Sequence, residues 1–174
     1  MHRIERNPPR NGGKVCAFTS HRPAAAAYLG CPSSPEYRVL YEKVKSTVRT
    51  LAERGFTHFL SGGALGADRL AALAVMDMKK EYPFITLEIV QPCPEQADRW
   101  ARADREAHEA LLQAADRVTV VCESYVPGCM QLRNRFMVDA CEAVVGIYNG
   151  SPGGTRSTLE YALNENKEVL ILTP

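Results

Sequence analysis

The sequence predicts a single α/β domain with a three-layer, Rossmann-like, doubly wound architecture around a mainly parallel sheet of about six strands. Short runs rich in Val, Ile, Leu and Phe alternate along the chain with longer amphipathic runs. The short runs lack polar alternation, which is typical of strands buried on both faces of a parallel sheet. The length of 174 residues suits one domain, and a hydrophobic content of 45% supplies a core for both faces.

Six segments are predicted as strands because each is short, apolar and followed by polar or turn-forming residues. In chain order they are 14–19, 57–60, 85–90, 117–122, 143–148 and 169–172. Strict alternation with five helical segments, joined by right-handed crossovers, favours helices on both faces of the sheet.

The segments between these strands show helical periodicity. The first helix is predicted over about residues 35–54, because Gly55 is a natural helix C-cap. After the third strand, one predicted apolar face consists of Trp100, Ala103, Ala107, Leu111 and Ala114. Neither a repeat nor a linker interrupts residues 14–174, which are predicted to form one domain after a flexible N-terminal tail, residues 1–13.

Composition argues against several functions. The formal net charge of +1 does not favour a dedicated nucleic-acid binder, and no apolar run approaches the length of a membrane span. The six cysteines include no CxxC pair and no zinc-type grouping with histidine, so no metal site is expected. The start of the chain has no apolar core of a secretion signal, and a cytoplasmic location with reduced thiols is expected.

Ligands of doubly wound sheets bind at the carboxyl ends of the strands, so the loops there are the candidate site. After the first strand come Thr19, Ser20, His21 and Arg22. Arg22 is suited to pairing with a phosphate, and Ser20 is suited to donating to it. A polar surface loop is the alternative interpretation.

Residues 61–68, called here the first glycine turn, follow the second strand. Gly62, Gly63 and Gly66 allow a tight turn and a close approach of a ligand to backbone amides at a helix start. Asp68 is suited to accepting from a ribose hydroxyl, although an acid there also simply favours the helix dipole. The turn lacks the GK[ST] of a P-loop, and no GxGxxG follows the first strand.

Residues 149–158, called here the second glycine turn, give the strongest local signal. Gly153 and Gly154 precede Thr155 and Ser157 at a predicted helix start, where amides and hydroxyls converge as an anion requires. Glu160, further along the helix, is suited to binding a sugar hydroxyl or to acid–base chemistry. An ordinary capped helix with a surface glutamate is the alternative.

Three further residues complete the candidate site. Trp100 stands where the loop after the third strand meets its helix, a position from which it could stack on a base or pack in the core. Arg133 and Asn134 near the start of the following helix are candidates for facing a phosphate.

These motifs resemble the SLOG superfamily, in its YpsA/YoqJ-like branch, over essentially residues 14–172. Thr-Ser-His-Arg-Pro at 19–23 stands where that branch usually has Thr-Gly-His-Arg-Pro, and the first glycine turn reads Ser-Gly-Gly-Ala-Leu-Gly-Ala-Asp. Pro92, Gln96 and Trp100 also keep the spacing of the branch. The order and spacing of these signals make the resemblance specific.

The resemblance implies a Rossmann-like fold and a pocket for nucleotides or derivatives such as ADP-ribose or NAD-like molecules. The binding loop would contain Gly62, Gly63, Gly66 and Asp68. It also implies a homodimer and no required cofactor, while no enzymatic activity is established for the branch. The leading hypothesis is therefore a nucleotide-binding or sensor domain.

Two more distant SLOG groups supply alternatives. The LOG group cleaves the N-glycosidic bond of nucleoside 5′-monophosphates with a PGGxGTxxE motif, which residues 152–154 and Glu160 match in spacing. Arg133 would be the upstream arginine, so Glu160 and Arg133 are the candidate catalytic residues, but Arg156 and Ser157 replace the Gly-Thr pair. A DprA-like nucleic-acid-binding module is the third hypothesis, which the near-neutral charge does not favour.

Overall fold

The computed structural model describes residues 1–6, 12–21 and 27–174, with a seven-stranded sheet at the centre. The spatial order of the strands is β1-β5-β4-β3-β2-β6-β7, and every neighbouring pair is parallel except β1 and β5. The strands are β1 His2–Glu5, β2 Lys14–Ser20, β3 Phe56–Ser61, β4 Thr86–Gln91, β5 Arg117–Val120, β6 Ala143–Ile147 and β7 Glu168–Leu172.

The direction in which the chain adds strands reverses at β2. From β2 the chain proceeds outward through β3, β4 and β5, and then crosses back to place β6 on the other side of β2. The carboxyl ends of β2 and β6 therefore flank the topological switch point, where open α/β sheets leave a crevice. We call this place the switch crevice.

Helices cover both faces of the sheet, which confirms the predicted three-layer fold. The helices are α1 Pro35–Glu53, α2 Ala67–Met78, α3 Arg102–Ala114, α4 Cys129–Asp139 and α5 Gly154–Asn164. One apolar cluster joins Phe18 and Phe59 to α1 and α2, and a second joins Ala17 and Leu60 to α4 and α5. Consecutive strand residues thus enter opposite layers, as the two-residue period of a strand requires.

The first helix begins and ends as its sequence predicts. The Ser34 hydroxyl accepts a hydrogen bond from the Tyr37 amide at 3.1 Å, and Pro35 occupies the first turn, where its missing N–H costs nothing. At the other end Gly55 has a φ of +90°, a left-handed conformation that glycine adopts without strain.

The N-terminal residues differ from the predicted flexible tail. His2–Glu5 form an edge strand antiparallel to β5, and the Arg3 guanidinium donates to the Thr119 hydroxyl at 3.0 Å. This strand raises the count from six to seven. Charged residues suit an exposed strand edge but leave no apolar run for sequence reasoning to detect. The rest of the expected tail, residues 7–11, lies outside the described residues.

A buried polar network crosses β3, β4 and β5. The Glu88 carboxylate lies 2.7 Å from His58 Nε2 and accepts from the Thr119 hydroxyl at 2.6 Å. The other ring nitrogen of His58 lies 2.7 Å from the Thr86 hydroxyl, and Arg117 donates to Glu88 at 3.3 Å. Although burial raises the pKa of Glu88, the hydrogen bonds from His58 and Thr119 lower it below the ordinary value.

Within the described residues, no helix is both long and apolar enough to cross a membrane.

Candidate functional site

The last residue of β2 and the residue that follows it connect the two glycine turns at the switch crevice. The Ser20 hydroxyl donates a short hydrogen bond to Asp68 of the first glycine turn. On the other side, His21 Nε2 lies 3.4 Å from the Ser151 hydroxyl of the second glycine turn. The His21 ring also packs on Tyr148, with ring centroids 5.2 Å apart. Ser20, the last residue of β2, and His21, which follows it, therefore each contact one of the two glycine turns.

Hydrogen bonds from two neighbouring side chains fix the conformation of the first glycine turn. The Gly62 carbonyl accepts from Arg133 Nη1 at 3.0 Å and from Gln96 Nε2 at 2.9 Å. The Gly63 amide donates to the Ser61 hydroxyl at 3.2 Å, so this N–H is already satisfied within the turn. Both glycines are buried, and Gly63 has a φ of +63°. The turn therefore serves first as a fixed junction between β3 and α2.

Arg133 and Asp68 meet over Gly62, where only glycine fits. A Cβ on Gly62 would lie 2.0 Å from Arg133 Nη1 and 2.7 Å from Asp68 Oδ2. Arg133 is only 7% exposed and donates as well to the Val90 carbonyl at 3.2 Å and to Asn134 Oδ1 at 2.8 Å. Through these contacts Arg133 supports the first glycine turn, and Asn134 holds the Arg133 side chain in place.

The second glycine turn presents an exposed helix start. Gly153 and Gly154 are exposed, and Gly153, which precedes α5, has no side chain to cap the helix. The first turn of α5 carries no acidic residue, while Thr155 is buried and the Ser157 hydroxyl donates to the Gly153 carbonyl at 3.3 Å. Because Ser151 contacts His21 at 3.4 Å, this helix start lies beside the switch crevice.

Glu160 lies on the exposed flank of α5. Its carboxylate accepts from Arg156 Nε at 2.8 Å, and both side chains are more than half exposed. They border a shallow depression between α5 and β7 whose apolar lining includes Leu163 and Ile171. The two candidate catalytic residues thus have different surroundings, a buried brace for Arg133 and an exposed ion pair for Glu160.

Trp100 stands beside the first glycine turn with two partners that sequence reasoning missed. Its ring meets the His108 imidazole edge-on, with centroids 5.0 Å apart, and the Arg69 guanidinium lies 6.0 Å from the Trp100 ring centroid. His108 is 3% exposed, lies against Gly63, and is 3.1 Å from Gln91 Nε2. Burial, followed by the Arg69 charge, lowers the pKa of His108, which favours the neutral ring.

Three candidate residues remain: Thr19, Arg22 and Gly66. Thr19 is buried within β2, where it pairs with Gly146 of β6, and so it supports the sheet beneath the crevice. Arg22, the candidate phosphate partner, lies outside the described residues. Gly66, with a φ of +89°, directly precedes α2 and gives the backbone the bend that starts this helix.

Comparison with known proteins identifies the family. The YpsA family model, described as the YspA SLOG family, matches residues 19–171. The SPbeta prophage-derived protein YoqJ of Bacillus subtilis is 32% identical over 142 residues, which cover 74% of this chain and 83% of YoqJ. A UPF0398 protein of Bacillus cereus (strain B4264) is 27% identical over 152 residues, covering 86% of this chain and 82% of that protein.

Solved structures share the fold at low sequence identity. DNA processing protein A of Streptococcus pneumoniae superposes with a TM-score of 0.64 at 18% identity, covering 93% of this chain and 51% of that one. The Helicobacter pylori protein gives a TM-score of 0.60, also at 18% identity, with 92% and 66% covered. The chain therefore spans about half to two thirds of those proteins. With its sheet topology, its paired glycine turns and a family match over residues 19–171, the chain belongs to the YpsA family of the SLOG superfamily.

Proposed function

We propose that the protein binds a nucleotide or nucleotide-derived ligand, of the ADP-ribose, NAD or nucleoside phosphate type, in the switch crevice, and acts there as a sensor. The observation that carries this proposal is the pair of contacts Ser20–Asp68 and His21–Ser151. They bring both glycine turns to the end of β2, the point at which doubly wound sheets bind ligands.

The phosphate is assigned to the start of α5. The first N–H groups of a helix have no acceptor within the helix, and this end is the positive end of the helix dipole. The first turn of α5 contains no acid that would repel an anion, and no side chain caps it. Amides of the second glycine turn are therefore the proposed phosphate donors. The first glycine turn, whose Gly63 amide is already bonded, shapes the opposite wall of the crevice.

The base is assigned to the side of the first glycine turn that holds Trp100. The half-buried indole offers an aromatic surface there for stacking. Because Trp100 is the only tryptophan of the chain, its fluorescence reports directly on that contact.

Titration calorimetry with AMP, ADP-ribose and NAD⁺ tests the proposal, and Gly154→Asp supplies the decisive variant. A Cβ at Gly154 meets no heavy atom within 4 Å, so the fold accommodates the new side chain. An acid at a helix start stabilises the helix by about 0.3–1 kcal/mol. We expect Gly154→Asp to keep or raise thermal stability and to weaken nucleotide binding at least about tenfold.

Asn164→Asp is the matched control, because it adds the same charge at the far end of the same exposed helix. This variant should retain wild-type affinity. The proposal fails if none of the three nucleotides binds, or if both variants bind as tightly as the wild-type protein.

Single-stranded DNA is the competing ligand to include in the same titrations. The Helicobacter pylori relative in fold is described with a single-stranded DNA binding mode. A net charge of +1 gives this chain little general attraction for phosphate backbones. We expect an oligonucleotide to bind more weakly than the best mononucleotide at moderate salt, and the reverse order would favour the nucleic-acid alternative. Light scattering on the same samples tests the expected homodimer.

A further inference from the structure

Strand β7 leaves one side of its backbone open at the edge of the sheet. Among the described strands, β6 is the only neighbour of β7. The Glu168 amide donates to the Glu142 carbonyl at 3.1 Å, and the Leu172 carbonyl accepts from the Tyr148 amide at 3.0 Å. Every second residue of β7, beginning with Glu168, therefore directs its backbone groups at β6. The residues between them direct their N–H and C=O groups outward.

The outward residues of β7 are Val169 and Ile171, and their edge is unprotected against pairing. After Glu168 the strand consists of Val, Leu, Ile and Leu, and its register with β6 runs without a bulge. The opposite edge of the same sheet differs, because β1 contains Arg3 and Glu5. Charged residues, prolines and bulges are the features by which edge strands avoid pairing with other strands. The edge of β1 has such protection, and the edge of β7 lacks it.

The exposed face of α5 beside this edge is complementary to itself. Leu163 on α5 is 60% exposed and Ile171 is 49% exposed, and both line the depression between α5 and β7. Arg156 and Glu160 form their ion pair on the same depression, one helical turn apart. A second copy related by a two-fold axis presents these two charges in the reverse order. Apolar residues then meet apolar residues, and both signs of charge are available to both copies.

We propose that two copies of the chain pair through β7, antiparallel about a two-fold axis at Leu170, and so join their sheets into one. Val169 of each copy then lies opposite Ile171 of the other, and each of these pairs exchanges two backbone hydrogen bonds. Leu170 lies opposite Leu170 of the second copy as a non-hydrogen-bonded pair. On the α5 side, Ile171 and Leu163 of both copies cover the junction of the two sheets.

The pattern of β7 favours this register. All five residues of the strand have a partner in β7 of the second copy, and all outward backbone groups of Val169 and Ile171 are satisfied. A shift by one residue would place these outward groups opposite groups that already bond to β6. A shift by two residues would leave part of each strand without a partner. The antiparallel pair about Leu170 therefore makes the most backbone hydrogen bonds.

The first test measures self-association of the full chain by sedimentation velocity over a concentration series. We expect a dimer for the wild-type protein. Ile171→Lys should raise the dissociation constant at least about 100-fold, because the two-fold axis places two unpaired charges in the junction. Ile4→Lys is the matched control: Ile4 is 46% exposed, similar to Ile171, but lies on the opposite edge of the sheet. This variant should remain a dimer, and circular dichroism checks that both variants are folded.

The second test examines the register with an introduced cysteine. The background carries Cys31→Ser, which removes an exposed thiol able to link two molecules. In this background Leu170→Cys should give a covalent dimer when treated with diamide, because opposed residues at the axis lie within disulfide range. Leu172→Cys is the control, since this residue lies on the same side of β7 but opposite Glu168 of the second copy. Non-reducing electrophoresis should show little crosslinking for this variant and for the background protein.

Three results would overturn the proposal: a wild-type protein that stays monomeric, a dimer that persists in Ile171→Lys or is lost equally in Ile4→Lys, or equal crosslinking of Leu170→Cys and Leu172→Cys. If Ile171→Lys fails to fold, the comparison of the two cysteine variants decides alone. No nucleotide enters either experiment, so the outcome is independent of the proposed function.

Discussion

Replacing Gly62 by alanine would introduce a steric clash with Arg133, which supports the first glycine turn through its hydrogen bond to the Gly62 carbonyl. The new Cβ would stand 2.0 Å from Arg133 Nη1 and 2.7 Å from Asp68 Oδ2, far inside van der Waals contact. Neither group moves freely, because Arg133 is bonded to two backbone carbonyls and Asp68 accepts from Ser20. The guanidinium is the long, flexible side chain of the two, so we expect it to be displaced.

The cost follows from the hydrogen bonds that would be lost. Displacement breaks the bonds from Arg133 to the Gly62 and Val90 carbonyls, which are 3.0 and 3.2 Å long. Hydrogen bonds from a charged donor contribute about 1.5–3 kcal/mol each, so the loss of two should lower the free energy of unfolding by about 3–6 kcal/mol. For a domain of this size, the melting temperature should fall by about 10 °C.

Urea unfolding followed by circular dichroism measures this change. Gly30→Ala is the matched control, since an added Cβ there meets nothing within 4 Å, and it should cost less than about 0.5 kcal/mol. In an Arg133→Ala background the closer of the two clashes is removed and the Arg133 hydrogen bonds are already absent, so Gly62→Ala should then cost less. A Gly62→Ala protein within about 1 kcal/mol of the wild type, or an equal cost in both backgrounds, would refute the reasoning.

Three further variants test other parts of the structure. Burial raises the pKa of Glu88, but hydrogen bonds outweigh it and hold the pKa below its ordinary value. The stability that Glu88 contributes is therefore present above its unfolded-state pKa and is lost as the pH falls through its folded-state pKa. Glu88→Gln should make the urea midpoint depend less on pH between about pH 5 and pH 3. In the wild-type protein the Asp116 carboxylate lies 2.7 Å from the Lys79 ammonium and also accepts from the Leu87 amide. Asp116→Ala removes this acceptor from both groups and should lower the free energy of unfolding by about 3 kcal/mol in the same assay. Glu160→Gln should leave nucleotide affinity unchanged in calorimetry, because this side chain lies in an exposed ion pair; an affinity loss of tenfold or more would revive a direct role.

Sequence patterns predicted most of the fold because its strands are buried on both faces. Such strands appear as uninterrupted apolar runs, and all six predicted runs became strands β2 to β7. The end of α1 followed from a local signal, Gly55, whereas its Ser34 cap is a finding of the structure. The α3 face was predicted correctly at Leu111, which is buried, and wrongly at Ala103, Ala107 and Ala114, which are exposed, while His108 is buried. Spaced alanines carry too little apolar surface to decide which side of a helix packs.

The candidate site was harder to predict, because its contacts join residues far apart in the chain. Arg133 and Gly62 are separated by 71 positions, and Ser20 and Asp68 by 48. Sequence patterns point to the glycine turns because their backbone conformations require local residue types, and Gly63, Gly66 and Gly153 do have positive φ angles. They could not distinguish an arginine that binds phosphate from one that supports a turn, since both belong near a helix start. His108 gave no local signal, because its role depends on Gly63 and Trp100 packing against it.

Deuterium exchange of the protein with and without a saturating nucleotide is the most direct examination of the ligand site. We predict slower exchange in both glycine turns together, and at Ser20 and His21 between them, because one ligand in the switch crevice covers all three segments. Protection confined to a single turn, or found only on the flank between α5 and β7, would contradict a shared site at the end of β2.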